Sequence, residues 1–359
     1  MTAPITTPED LGDAAAELAR HPVIGLDTEF LRERTYFAQL CLLQLSHTGG
    51  ALCVDTLALA ALEPLVPLMG AGGPVKVLHA TRQDQEVLWP VVGSLAPLFD
   101  TQVAAALVGL PAQVGYGDVV RDLLGVELHK SQTRTDWSRR PLSAAQIDYA
   151  LDDVRHLLPL REVLLERLER LGRLAWFEEE MRAVSGESFA VDPALAWQRF
   201  KGLAELDAPR QRLATSLCGW REQRAVESNR PRGWILPDTA LRDIVMQVPR
   251  SEAQLERLRE LPEGIRKNSG AQLLRLVAGA DVPTPPPQLP QRRRPDPEQL
   301  ATVARLADAL KRVATELAVA PEVLATRREL ERLANGGRDG PSQQGWRQSV
   351  VGAALLAAL

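Results

Sequence analysis

One stretch constrains this chain more than any other: an apolar strand that ends in two carboxylates on the same side. Val23-Ile24-Gly25-Leu26-Asp27-Thr28-Glu29-Phe30 begins as a buried strand, with a glycine where another backbone comes close. Successive strand side chains alternate faces, so Asp27 and Glu29, two apart, point the same way. Like charges held that close at the end of an apolar strand repel and lose hydration, which is unfavourable unless a cation neutralises them. Hard divalent cations such as Mg²⁺ prefer carboxylate oxygens. Taken alone, the pair fits either a strand that has reached solvent or part of a cation site.

The 359 residues are too many for one ordinary core, so two or three domains are expected. Charge divides unevenly along them. Residues 1–200 carry 17 Lys and Arg against 27 Asp and Glu, whereas residues 201–359 carry 25 against 19. An acidic half that can hold metal beside a basic half that can hold phosphate suggests a division of labour. Cys41, Cys53 and Cys218 are widely spaced and form no CxxC pair or Cys/His cluster, which argues against disulfide frameworks and structural zinc and suits a reducing compartment. The polar, acidic first nine residues lack the pattern of a secretory leader, and the apolar tail from Val350 to Leu359 is too short to span a bilayer. A cytoplasmic protein with no membrane association is expected.

Thr7-Pro8-Glu9-Asp10 reads as a helix start, and His21-Pro22 as its end. After the acidic strand, 39–46 and 51–55 read as two more strands around the turn Thr48-Gly49-Gly50, an antiparallel meander, and 75–78 as a buried strand. Helices are expected at 83–89, 101–107 and 117–124, then one long amphipathic helix from Ser143 to about Arg170. The expected fold is an α/β domain over 1–200, a mixed sheet of about five strands with helices around it. An all-helical domain over 206–281 follows, broken at Pro231-Arg232-Gly233 and Pro262-Glu263-Gly264. A Pro/Arg-rich linker over 282–296 then leads to a second helical domain over 297–359.

Asp84 stands in the first turn of a helix that follows a strand, where it suits the helix dipole and can also face Asp27 and Glu29. Tyr149 and Asp153, four apart, share one face of the long helix, flanked by Ile147, Val154 and Leu157, while Asp152 points toward solvent. An Asp on a buried helix face is costly unless paired, with Arg121 or Arg155 for example, or coordinated.

These four acids and the tyrosine, in this order and spacing, resemble the DEDD superfamily of 3′→5′ exonucleases. Asp27 and Glu29 match its Asp-x-Glu motif, Asp84 its second acid, and Tyr149 with Asp153 its Tyr-x-x-x-Asp form. Position 148 is Asp where the sister subclass has His, so the Tyr subclass applies. Thr35-Tyr36-Phe37-Ala38-Gln39-Leu40, Leu43-Gln44-Leu45 and the run from His129 to Leu142 look like the ribonuclease D family within it. Residues 206–281 resemble an HRDC domain, and 297–359, with Gly345-Trp346-Arg347, a second one.

The resemblance implies a ribonuclease H-like fold and two divalent metal ions, Mg²⁺ or Mn²⁺, bound by Asp27, Glu29, Asp84 and Asp153. It implies that Tyr149 orients the attacking water, since a phenol of ordinary pKa near 10 is a poor base. The implied activity releases nucleoside 5′-monophosphates from RNA 3′ ends, in tRNA 3′ maturation and on other small structured RNAs, by a monomer that needs no nucleotide cofactor. Lys130, Arg134, Arg139 and Arg140 adjoin the catalytic helix and are candidates for phosphate contact, and Trp137 for stacking on a base or anchoring the loop. Two rivals stay open: a DNA exonuclease on the same fold, and a non-catalytic RNA-binding protein. No GxxxxGK[ST] loop is present, which disfavours a helicase.

Overall fold

The computed structural model describes residues 3–128, 135–280 and 296–359. It divides into two compact units: Met1–Leu31, Leu40–Phe189 and Arg294–Leu359 in one, Arg32–Gln39 and Ala190–Arg293 in the other. The proline-rich linker lies outside the described residues as far as 295.

The first unit is built on a five-stranded sheet of β1 (Val23–Leu31), β2 (Gln39–His47), β3 (Gly50–Val54), β4 (Val75–Leu78) and β5 (Leu98–Asp100), in the order β3-β2-β1-β4-β5. It is mixed, as expected. β1 runs parallel to β4, with Gly25 opposite Val77, β4 runs parallel to β5, and β2 and β3 form an antiparallel hairpin. Gly25 is required by its surroundings: a Cβ there would stand 2.2 Å from the Ser46 hydroxyl and 3.2 Å from Leu158. Lys76, inside β4, is fully buried, and its ammonium donates to the carbonyls of Leu68 (3.0 Å), Gly70 (3.1 Å) and Ala96.

Around the sheet lie α1 (Pro8–Leu18), α2 (Val66–Met69), α3 (Arg82–Val92), α4 (Thr101–Leu107), α5 (Tyr116–Leu124), α6 (Ala144–Arg155), α7 (Leu157–Arg170) and α8 (Leu174–Ser185). Thr7 caps α1, and Ser143 caps α6 through a reciprocal box with Gln146. The single long helix expected from Ser143 to Arg170 is corrected to two, broken at His156. The cause is Pro159, which has no N–H for the Arg155 carbonyl and whose ring would strike it.

The second unit holds α9 (Ala208–Ser228), α10 (Arg232–Ile235), α11 (Asp238–Gln247), α12 (Glu252–Glu256) and α13 (Glu263–Gly279) around a core that includes Leu213, Leu217, Ile244, Leu273 and Val277. Residues 32–39 belong to it. The Asn229 side-chain oxygen accepts from the amides of Tyr36 and Phe37, both at 3.1 Å, and the Tyr36 phenol donates to Glu222, which also takes the Arg232 guanidinium.

The remaining helices, α14 (Pro297–Glu316), α15 (Pro321–Leu324), α16 (Arg327–Ala334) and the helical stretch 345–357, do not form a separate domain, which corrects the expectation for 297–359. Leu306, Leu310, Trp346, Val351 and Leu355 share one apolar cluster with Ile24, Val77 and Leu164 of the sheet domain. Trp346 stacks on Trp176 at 4.6 Å, its indole N–H donates to Glu180 at 2.7 Å, and Arg347 pairs with the same carboxylate. Among the described residues, no helix is long and apolar enough to cross a membrane.

Candidate active site

β1 delivers Asp27 and Glu29 at the end of its buried run. Next to it, β4 leads through a tight turn into α3 and its Asp84. That turn is held by an acid the sequence reading did not single out. The Asp100 carboxylate, at the end of β5, accepts the backbone N–H groups of Ala80 (3.2 Å), Thr81 (2.9 Å), Gln102 (2.8 Å) and Val103 (3.2 Å). With Ala80 in the left-handed region at φ 58°, the turn sends α3 back past β1. Asp84 is then buried, and the Thr28 hydroxyl donates to it at 2.5 Å.

α6 brings the last two groups. Asp153 and Tyr149 lie one turn apart on the face turned to the sheet. The Ser46 hydroxyl on β2 donates to the Val154 carbonyl at 2.9 Å, fixing the helix next to Asp153. Neither arginine considered as a partner for Asp153 serves it. Arg155 pairs with Asp148 (2.9 Å) and Asp152 (2.5 Å), and Arg121 with Asp118 and Asp122.

The electrostatic consequence is severe. Burial pushes the Asp27 carboxyl well above the usual carboxylate range, and Asp84, Asp153 and Glu29 push it the same way. Burial, then Asp153 and Asp84, raise Glu29 to about 8. Burial raises Asp84 to about 7 despite its bond from Thr28, and burial with Asp152 raises Asp153 to about 7. Tyr149 is raised to about 12 by burial, with Asp153, Glu29 and Asp27 adding to it. The charges of three of the four acids therefore reach Tyr149, and the sheet and helices bring the five singled-out residues within electrostatic reach of one another.

Such a donor set fits hard divalent cations. The charges of Asp84 and Asp153 raise both Asp27 and Glu29; among the described residues no cationic side chain pairs with any of the four acids, and an ion bound by their oxygens would supply the missing charge. Among the described residues, the group whose ligand atoms all lie within 4.8 Å of one another is a different one, Glu17, His21 and His47, and it is satisfied as it stands: Arg20 and His21 hold the Glu17 carboxylate, and Thr48 meets the other His21 nitrogen.

The basic loop is only partly a binding surface. Lys130 and Arg134 lie outside the described residues. Arg139 extends into solvent, 84% exposed, with one link to Asp136. Arg140 is different. Its five N–H groups go to both Asp55 oxygens and to the carbonyls of Cys41, Trp137 and Arg139, at 2.5–2.8 Å. No donor is left for a phosphate, so the expectation for Arg140 is corrected: it fastens the loop. Trp137 is buried with Cys41, Leu42, Cys53 and Leu151 and stacks near Tyr149 at 6.3 Å, so of its two readings it anchors the loop.

Tyr116, at the start of α5, was also missed. Its phenol donates to the Asp152 carbonyl at 3.3 Å, beside Asp153. Nothing in its local sequence points to α6, because the link spans 36 positions.

Comparison with known proteins agrees with this picture. A family model described as a 3′-5′ exonuclease matches residues 2–169, and one for the HRDC domain matches 210–277. Ribonuclease D of Granulibacter bethesdensis is 40% identical, over 98% of this chain and 91% of that protein, and ribonuclease D of Gluconacetobacter diazotrophicus is equally similar over the same shares. The crystal structure of Escherichia coli RNase D, an exoribonuclease involved in structured RNA processing, superposes with a TM-score of 0.87 at 30% identity, covering 100% of this chain and 99% of that one. The catalytic core of RRP6 from Trypanosoma brucei aligns with a TM-score of 0.62 at 26% identity, over 78% of this chain and 80% of that one.

Proposed function

This chain belongs to the ribonuclease D family of 3′→5′ exoribonucleases, and from that premise we propose that it trims tRNA precursors and other small structured RNAs with two divalent metal ions, releasing nucleoside 5′-monophosphates. The observation that carries the reading is the set of four carboxylates with no paired cationic side chain among the described residues, their charge reaching Tyr149.

Asp27, Glu29, Asp84 and Asp153 would hold the ions, and the charges of the other three acids all act on Asp27. When bound, the ions supply a water of lowered pKa and charge stabilisation at the departing 3′ oxygen. Every other part of the chemistry falls to the chain. Thr28 holds the Asp84 carboxyl in place. The Tyr149 phenol, kept protonated by its surroundings, donates to and orients the attacking water but does not take its proton. Arg139 meets the substrate backbone at the edge of the site.

The HRDC unit, from the basic half of the chain, captures the RNA. The enzyme acts as a monomer without a nucleotide cofactor. The cytoplasm is the compartment where such RNAs and the three free thiols Cys41, Cys53 and Cys218 coexist.

The test is incubation of the protein with a 3′-extended tRNA and a matched DNA 3′ end, with Mg²⁺, with Mn²⁺ and with chelator. Stepwise, metal-dependent shortening of the RNA with mononucleotide release is expected, abolished in folded Asp27→Asn and Asp153→Asn. Wild-type trimming by either variant would remove the metal assignment. A faster rate on the DNA would replace RNA as the substrate.

A further inference from the structure

The path of α6 into α7 holds a feature that the acid motifs do not explain. In a continuous helix the His156 N–H would donate to the Asp152 carbonyl. Here the His156 N–H goes to the Val154 carbonyl instead, and a side chain from elsewhere takes the acceptor left behind: the Tyr116 hydroxyl donates to the Asp152 carbonyl at 3.3 Å. Insertion of a side chain into the helix ladder is a recognised cause of a sharp bend. Pro159 explains why the helix cannot run straight. The bond it removes is the one to the Arg155 carbonyl, so the open Asp152 carbonyl needs a partner of its own, because a buried main-chain acceptor is costly when unpaired.

Asp153 is the next residue after the carbonyl that Tyr116 engages. Two hydroxyls thus bracket it, Tyr116 on the Asp152 carbonyl and Ser46 on the Val154 carbonyl. The Tyr116 ring is itself held. It packs on His79 at 5.6 Å, and the His79 nitrogens face the Thr101 hydroxyl and the Val114 carbonyl, both at 2.9 Å. His79 follows β4 directly, a few residues before Asp84. A continuous chain of contacts therefore runs from the β4 end, which places Asp84, to the helix bend, which places Asp153.

We infer that Tyr116 is a positioning residue for the metal site: its hydroxyl sets the bend between α6 and α7 that aims Asp153 at Asp27, Glu29 and Asp84. The inference rests on the reading that these four acids hold divalent metal. Tyr116 acts on Asp153 through the main chain of α6, which separates its role from that of Tyr149. Removing its oxygen frees the Asp152 carbonyl to take back the His156 N–H in the regular bond, turning Asp153 away from its partners. The variant keeps its core and loses metal affinity, by about 10-fold as for other groups that orient a ligand.

Mn²⁺ binding to the full chain, by calorimetry and by the electron-spin signal of free Mn²⁺, tests this in the wild type, Tyr116→Phe, Tyr149→Phe and Asp153→Asn. The expected result is a melting temperature for Tyr116→Phe close to wild type, about 10-fold weaker Mn²⁺ binding, and turnover that recovers at saturating Mn²⁺. Tyr149→Phe should show the reverse, wild-type binding with turnover that no Mn²⁺ concentration restores. Unchanged Mn²⁺ affinity in folded Tyr116→Phe overturns the inference, and so does lost turnover that saturating Mn²⁺ fails to restore. If the wild type binds no more Mn²⁺ than Asp153→Asn, the metal reading itself fails, a result distinguishable from the others. Should Tyr116→Phe not fold, Tyr116→His, an aromatic ring that still donates, is measured instead: wild-type affinity supports the inference, and weakened affinity with a normal melting temperature overturns it.

Discussion

The Thr28 hydroxyl donates to the Asp84 carboxylate at 2.5 Å, joining the acidic strand to the helix that follows its neighbour. Thr28 lies between Asp27 and Glu29 in sequence, so one side chain links the first motif to the second. Charge-assisted bonds of this length are strong and directional. Thr28→Val keeps the β-branched shape and removes the donor. Mn²⁺ affinity is expected to fall about 10–100-fold, with a stability loss of only about 1 kcal/mol. Calorimetric titration beside a thermal melt checks both, and unchanged affinity would detach Thr28 from the site.

The raised carboxylates make a pH prediction with a definite sign. In the unfolded chain these acids titrate near 4. In the fold, Asp84 and Asp153 titrate near 7, Glu29 near 8, and Asp27 is shifted upward as well. Between those limits the native state binds more protons than the unfolded one, so stability falls as pH rises through the window. Metal-free protein in chelator should therefore lose melting temperature from about pH 5 to pH 8. Mn²⁺ should restore it most at the alkaline end. Asp27→Asn, with one charge removed from the cluster, should flatten the chelator curve. A wild-type curve that rises over this range, or matches the variant, refutes the account.

Much of this was legible before any coordinates, for physical reasons specific to each element. Asp27 and Glu29 stand out because carboxylates at the end of an apolar strand are expensive, and Tyr149 with Asp153 because a four-residue spacing fixes a shared helix face. What escaped was short or remote. β5 is three residues, too few to show a period. Pro159 sits in the first turn of α7, where proline is tolerated, so the pattern of leucines ran on past the break. Tyr116 and Asp100 act through backbone groups that no side-chain pattern reveals. The apolar stripe of α14 looks the same whether it builds its own domain or covers another, so the destination of residues 297–359 was invisible.

Arg139 and Arg140 are neighbours with opposite expected behaviour. Arg139 is exposed, so Arg139→Ala should leave stability unchanged, weaken RNA binding, and reduce the slope of log affinity against log salt by about 1. Arg140 is spent on Asp55 and three carbonyls, so Arg140→Ala should cost roughly 1.5–3 kcal/mol of stability. Any loss of RNA affinity should then follow the loss of loop order without a separate change in salt slope. Equilibrium urea unfolding and binding at several salt concentrations separate the two. A stable Arg140→Ala with a reduced salt slope would return that residue to the RNA interface.

If residues 297–359 were a free-standing RNA module, removing them would spare the sheet domain. Their side chains argue otherwise. Trp346 lies flat on Trp176, its indole N–H and the Arg347 guanidinium share Glu180, and its amide is taken by Glu179 at 3.1–3.2 Å. Arg173 reaches the Leu107 carbonyl at 2.6 Å and also takes the Leu317 carbonyl, sewing α14 to α4. Trp346→Ala should therefore destabilise the catalytic unit by about 3–5 kcal/mol, the range for a large buried aromatic. Truncation after 296 should expose the apolar face beneath α14 and give aggregated or unfolded protein. Deletion of the HRDC match 210–277 should leave folding and metal binding intact, because that unit has its own core. Urea unfolding of Trp346→Ala, and solubility with Mn²⁺ binding of the two deletions, check these outcomes. A soluble, metal-binding protein lacking 297–359 would show that the C-terminal helices rest on the catalytic unit without supporting it.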